Sequence, residues 1–373
     1  METPAARAMA FDTRSGRQSW TLVDQSGLPI AAVEEFLSYL RALGKSRNTV
    51  EAYARHLSLL WRWLQTKQLS WDLASFTSLS EFLLVYRRGL YPLETRSGAE
   101  RSESSTRAVA AAVKEFYDFH HVEGDGPKNL DLTRVSRRSR STQNQFLAHI
   151  AGGRGALHNR LVTGLKSPPP LPQIINFEDD FGRLLDACHT ARDRLLLSAM
   201  YDGGLRIGQV LGLRHGDLVV PRRVVLVERR DYNANGALSK TPDLLELDMP
   251  RRFFAFYRDY LLDELTPRGI ESDYLIVNLR TAAIGSPCSY SNAYQSVVSI
   301  GERAGVKLTP HTLRHTHATA LAKAGWTSAE IAARLGQRHA GSADVYIHLA
   351  SSDLSDRLRD TAHLIWPRNI HAN

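Results

Sequence analysis

The sequence predicts a mainly α-helical protein with one small β-sheet, divided into a helical first domain and an α+β second domain. Three observations predict it. Apolar residues recur at helical spacing from Pro29 to about Glu123. A basic stretch rich in glycine and proline then interrupts all periodicity, and beyond it helical segments resume around two short apolar runs that flank an Asn-Gly turn. At 373 residues the chain is long enough to bury two separate cores.

Residues 1–27 are aperiodic and read as a tail or a short appended element. In the helical domain, residues 28–125, Val33, Phe36, Leu37 and Leu40 line one helix face, and Val50, Tyr53, Leu57, Leu60 and Leu64 line another. Asn48 followed by Glu51 has the spacing of a capping box opening the second of these helices. A last helix runs from about Ser105 through Val109, Val113, Phe116 and Phe119. Between Pro127 and Pro172 stand Lys128, Arg134, Arg137, Arg138, Arg140, Arg154, Arg160 and Lys166 against Asp131 alone, a balance of +7 within a chain whose net charge is +8. Residues 126–172 therefore read as a basic linker, either a solvated spacer or an arm that follows a phosphate backbone. In the second domain, residues 173–373 with a C-terminal tail, Leu184, Leu185, Leu195, Leu196 and Met200 predict two helices. Val224 to Val227 is an apolar strand, Asn235-Gly236 a turn, and Leu244 to Met249 a second strand, so a β-hairpin with a long polar connection is expected. Helices follow Pro250, with a short strand at Tyr274 to Val277.

The charge balance, with an isoelectric point near 9.5, favours a polyanionic partner, and DNA, RNA and an anionic membrane surface all fit it. Cys188 and Cys288 are the two cysteines, too few and too far apart for a disulfide framework or a cysteine zinc site. No apolar run reaches the roughly 20 residues that span a bilayer. The first thirty residues lack a signal-peptide core. The expectation is a soluble protein of the cytoplasm, associated with the nucleoid if its polyanion is DNA.

The chemistry concentrates in three separated segments. In Thr309-Pro-His-Thr-Leu-Arg-His-Thr-His317, Thr309 reads as an N-cap and Pro310 as the first helical residue, which places His311, Arg314 and His315 along one face. Arginine offers a fork of donors to a phosphate and histidine exchanges a proton near neutrality, so the face suits phosphoryl transfer. A second arginine, Arg206, lies in Gly204-Leu-Arg-Ile-Gly-Gln209, followed by Leu211-Gly-Leu213. Tyr346 lies in Tyr346-Ile-His-Leu349, nine residues beyond Gln337 of Leu335-Gly-Gln337. Each residue alone has a plainer reading: a lone arginine is usually a surface or capping group, and a tyrosine among aliphatic residues is usually core. His311, His315 and His317 have a spacing that a metal ion accepts, but no glutamate lies among them as a zinc protease requires, and no metal site is expected.

Together the three segments resemble the tyrosine recombinase family, also called phage integrases, over roughly residues 28–350. The family's boxes are Gly-Leu-Arg-Ile-Ser-Glu with Leu-x-Leu, then His-x-Leu-Arg-His, then Leu-Gly-His with a tyrosine nine residues on, and they occur here in the same order. The resemblance implies a helical, SAM-like core-binding domain joined to an α+β catalytic domain. It implies that Arg206 and Arg314 hold a scissile phosphate, that Tyr346 is the nucleophile assisted by His311, and that Lys240 on the hairpin protonates the leaving 5′-oxygen. Gln337 takes the place of the third box's histidine or tryptophan, and Gln209 that of the acidic residue three after the first arginine. Arg47, Asn48 and Thr49, with Arg137, Arg138 and Arg140, are candidate DNA contacts. The implied partner is double-stranded DNA, with a homotetramer assembled on it and room for accessory proteins. No cofactor, ATP or metal is implied. The Arg229 to Ala237 stretch looks similar to integrase-like transposases of mobile elements. Two rivals remain at this point: a type IB topoisomerase, which shares the site groups, and an accessory DNA-binding protein whose catalysis has decayed through Gln209 and Gln337.

Overall fold

The computed structural model describes residues 6–13, 18–95, 98–136, 156–159, 161, 171–230, 233–238, 244–280 and 283–351. The chain divides into two compact units, Met1–Pro169 and Pro170–Asn373.

The first unit opens on an antiparallel hairpin, β1 (Arg7–Asp12) and β2 (Gln18–Val23), with Arg7 opposite Val23. The stretch read as a tail or appended element thus carries strands. Its anchorage is side-chain chemistry: Leu22 is buried in the helical core, Arg55 lies over the Trp20 ring at 4.9 Å, and Arg41 donates to the Trp20 carbonyl. Four helices follow: α1 (Ala31–Ala42), α2 (Arg47–Thr66), α3 (Phe76–Arg88) and α4 (Glu103–Glu123). The faces expected from periodicity are the buried ones, with Val33, Phe36, Leu37 and Leu40 of α1 meeting Val50, Leu57, Leu60 and Leu64 of α2 and Phe116 of α4. The expected cap of α2 is corrected: Ser46, not Asn48, stands in extended backbone and accepts from the Thr49 amide, so Asn48 lies inside the first turn. Gly124 ends α4 with φ +87°, a conformation that costs glycine nothing. Within the basic window, β3 (Thr133–Ser136) and β4 (Ala156–Asn159) pair antiparallel where an extended linker was expected. Arg137, Arg138 and Arg140 lie outside the described residues.

The second unit begins with the two expected helices, α5 (Phe177–Asp186) and α6 (Ala191–Asp202), then α7 (Ile207–Gly212). A three-stranded antiparallel sheet follows in the order β5 (Leu218–Val219), β6 (Val224–Val227), β7 (Leu245–Asp248), with Val224 opposite Asp248 and Val227 opposite Leu245. The strand expected at Tyr274 to Val277 reduces to isolated bridges, Arg214 with Tyr274 and Val277 with Pro287, because no partner runs alongside for more than one residue. Helices α8 (Arg251–Asp259), α9 (Tyr290–Ala304), α10 (Pro310–Lys323), α11 (Ser328–Arg334) and α12 (Asp344–Ser351) complete the unit. Its main core joins Leu195, Val210, Val225, Leu247, Phe253, Ile276 and Val297. A smaller cluster of Ala318, Ile331, Ala332, Leu335, Ala343 and Tyr346 seats α12 on α10 and α11. Among the described residues no helix is long and apolar enough to cross a membrane.

Candidate active site

Thr309 and Pro310 start α10 as the sequence predicts: Thr309 Oγ1 accepts from the Thr312 amide and Thr312 Oγ1 from the Thr309 amide. This fixes the rotation of the helix and turns Arg314 inward, where it is 3 % exposed. Its fork donates through Nη1 to the Gly204 carbonyl at 2.6 Å and through Nη2 to the Leu335 carbonyl at 3.0 Å. One guanidinium therefore joins the second box to the backbones of the first and third. Gly204 has φ +59°, and a Cβ there would meet the His317 ring at 2.6 Å and the Leu335 side chain at 2.7 Å, so both backbone and packing require glycine.

Two residues beyond Gly204, Arg206 caps α7, and its amide donates to Gln209 Oε1 at 2.8 Å. Gln209 thus performs the backward reach of a third-position side chain with an amide oxygen in place of a carboxylate. Arg206 Nη1 is buried without a hydrogen-bond partner among the described residues, and no carboxylate there pairs with Arg206 or Arg314. Burial first, then repulsion from Arg206, pushes the Arg314 guanidinium down to about 9. Two desolvated cations with no carboxylate paired to them among the described residues favour an anion beside them.

Tyr346 comes to this place on α12 of the same chain. It is 3 % exposed, and its hydroxyl lies 2.9 Å from His315 Nδ1. Burial raises the phenol above its ordinary value, while Arg314 and Arg206 pull it back down. His315 is pushed down to about 4 by burial, then by His311 and Arg314, so at neutral pH the ring is uncharged, and in the tautomer with its proton on Nε2 it accepts from the phenol through Nδ1. His311 is exposed on α10, its ring centroid 6.1 Å from that of His315, and partial desolvation together with Arg314 and Arg206 lowers it. The imidazole hydrogen-bonded to the phenol is that of His315, whereas the resemblance had assigned assistance of the nucleophile to His311. Spacing alone puts both histidines on the face; only the docking of α12 separates them.

The Phage integrase family model matches residues 177–353, and that of the phage integrase N-terminal SAM-like domain matches residues 33–124. Transposase A from transposon Tn554 of Staphylococcus aureus is 31% identical over 341 residues, covering 90% of this chain and 92% of the relative. The chain belongs to the phage integrase family. It is a tyrosine site-specific recombinase, an enzyme class that cleaves and rejoins DNA strands. Tyrosine recombinase XerA of Thermococcus kodakarensis is 25% identical over 343 residues, covering 90% of this chain and 97% of the relative. The solved structure of XerH site-specific recombinase bound to a palindromic difH substrate shares the fold, with a TM-score of 0.58 at 17% identity over 88% of each chain.

Within this integrase, Gln337 follows Gly336, whose φ of +59° ends α11, and its amide donates to the Ala332 carbonyl. Gln337 Oε1 is buried without a partner among the described residues. His339 is exposed. Lys240 lies outside the described residues. Sequence reasoning missed Gly208, where a Cβ would stand 2.9 Å from the Leu238 carbonyl oxygen: the backbone leading toward Lys240 presses on α7 through this glycine. It also missed Arg334, whose Nη2 donates to the Asp202 and Asp248 carbonyls and so holds α11 to the ends of α6 and β7. Arg47, Asn48 and Thr49 occupy the first turn of α2 in the other unit, with Asn48 exposed.

Proposed function

We propose that the chain breaks and reseals duplex DNA by attack of the Tyr346 phenolate on a scissile phosphodiester. The Tyr O–P bond forms, the P–O5′ bond breaks, and a 3′-phosphotyrosyl link and a free 5′-hydroxyl result. The phenolic proton passes to His315 Nδ1, and Lys240 supplies the proton to the leaving oxygen. Resealing runs the same steps backward with the 5′-hydroxyl of a partner strand. Arg206 and Arg314 hold the two non-bridging oxygens and stabilise the charge that builds on them. The covalent link retains the phosphodiester energy, so strand transfer needs no ATP and no metal.

The single observation that carries this reading is the bond between Tyr346 and His315, on the helix whose Arg314 grips the box holding Arg206. Likeness to the Tn554 transposase supports movement of a mobile element as the biological setting, with Arg47, Asn48, Thr49, Arg137, Arg138 and Arg140 contacting the duplex and a homotetramer exchanging strands between two duplexes. A nicked suicide duplex carrying the recognition site tests the chemistry. Wild type is expected to give a denaturant-resistant adduct that Tyr346→Phe abolishes without loss of binding. An adduct that persists in Tyr346→Phe refutes the assignment. Exchange between two labelled duplexes, as opposed to relaxation of a single one, separates recombination from topoisomerase action.

A further inference from the structure

In the first unit, a ring nitrogen of His120 and one carboxylate oxygen each from Glu35 and Asp125 lie within 4.8 Å of one another. Carboxylates gather on protein surfaces without consequence, so the weight falls on the histidine. His120 is 0 % exposed, and its Nε2 lies 2.9 Å from the Ala32 carbonyl, an acceptor that obliges this nitrogen to carry the proton. Nδ1 is then left with its lone pair, buried and without a partner among the described residues.

The ring cannot turn to relieve this. Trp71, Phe116 and Phe119 pack around it with centroids 4.6, 4.6 and 4.9 Å away. Nor do the carboxylates find a donor: among the described residues Glu35 and Asp125 have neither a side-chain hydrogen bond nor an ion pair. Two exposed carboxylates thus stand beside a buried imidazole whose Nδ1 is unmet among the described residues, and leaving a buried acceptor unmet is costly. An imidazole whose far nitrogen donates to a backbone carbonyl is also oriented in the manner of metal-ligating histidines.

We infer that Glu35, His120 and Asp125 bind one divalent first-row transition cation, with water completing the shell on the exposed carboxylate side. One nitrogen with two carboxylate oxygens suits zinc or manganese. Glu35 lies on α1 and His120 on α4, while Asp125 follows directly on the αL glycine that ends α4, so the ion clasps the first helix to the last turn of the fourth. This is a structural ion of the first unit. It takes no part in strand transfer, and its presence or absence leaves the proposed chemistry unaffected.

The test uses the full chain stripped with chelator, titrated calorimetrically with Zn²⁺ alone and Mn²⁺ alone, and followed by thermal unfolding. One equivalent is expected to bind and raise the unfolding temperature. Glu35→Gln and Asp125→Asn, exposed substitutions that leave the buried histidine in place, are each expected to weaken binding about tenfold or more. X-ray absorption of the bound zinc should show one imidazole nitrogen among oxygen ligands. No binding at millimolar cation overturns the inference, and so does binding of equal strength in wild type and both variants, which would place the ion elsewhere, for instance at the histidines of α10.

Discussion

At the scale of single residues, the active site depends on which groups are left without partners. Arg206 Nη1 and Gln337 Oε1 are buried and unpaired among the described residues, whereas Arg314 spends its fork on two carbonyls. Arg314 is therefore the fastener of the site, tying α10 to the Gly204 and Leu335 carbonyls. His315 and His317 are both held down to about 4, first by burial. Their folded values lie below the unfolded value near 6.5, so the unfolded chain binds more protons between these limits. The stability they provide is present above about pH 6.5 and lost as pH falls toward 4, on the order of 1 kcal/mol for each after allowance for partial exposure. Thermal midpoints measured from pH 7 to pH 4 should decline over that window, and His317→Gln should flatten the decline; an unchanged profile in the variant would contradict it. At Gln337 a cationic side chain would strengthen the hold on the phosphate. Gln337→His is expected to raise the rate of adduct formation by about tenfold, measured below the pH at which the new imidazole loses its proton. A rate equal to or below wild type would show that the glutamine is not a phosphate contact.

At the scale of elements, helices were the legible part of the sequence, because burial of one face leaves a periodic record. Val33, Phe36 and Leu37, or Thr309 with Pro310, announce their helices without reference to anything distant. Boundaries were less legible: Ser46 and Asn48 are both competent caps, and only the backbone entering α2 chooses between them. The β1–β2 hairpin left a faint pattern, since its burial comes from Leu22 and Trp20 meeting helices far along the chain. The choice between His311 and His315 was hidden for the same reason, being made by α12. The hairpin that leads to Lys240 is positioned through Gly208, whose neighbour is a backbone carbonyl that cannot move aside as a side chain can. Gly208→Val should displace this segment and slow cleavage by about 10²-fold with DNA binding retained, as read from single-turnover cleavage and from mobility shift. Unaltered cleavage would mean that the contact does not position the lysine.

At the scale of the whole molecule, the charge is distributed unevenly. The window from Pro127 to Pro172 carries +7 of the net +8, and clustered Lys and Arg of this kind gain affinity for a phosphate backbone through counterion release. Replacing Arg137, Arg138 and Arg140 together by alanine should reduce the slope of log affinity against log salt by about 2 to 3, with cleavage of bound substrate unchanged. An unchanged slope would remove these residues from the interface. Each of the two units has its own core, and the groups of the three family boxes all belong to the second. The central claim, that one phenol of this chain becomes covalently joined to DNA, is most directly tested by digesting the trapped adduct and sequencing the modified peptide by mass spectrometry. The nucleotide should be found on Tyr346 alone; its appearance on any other of the 13 tyrosines, or on a serine, would contradict the account.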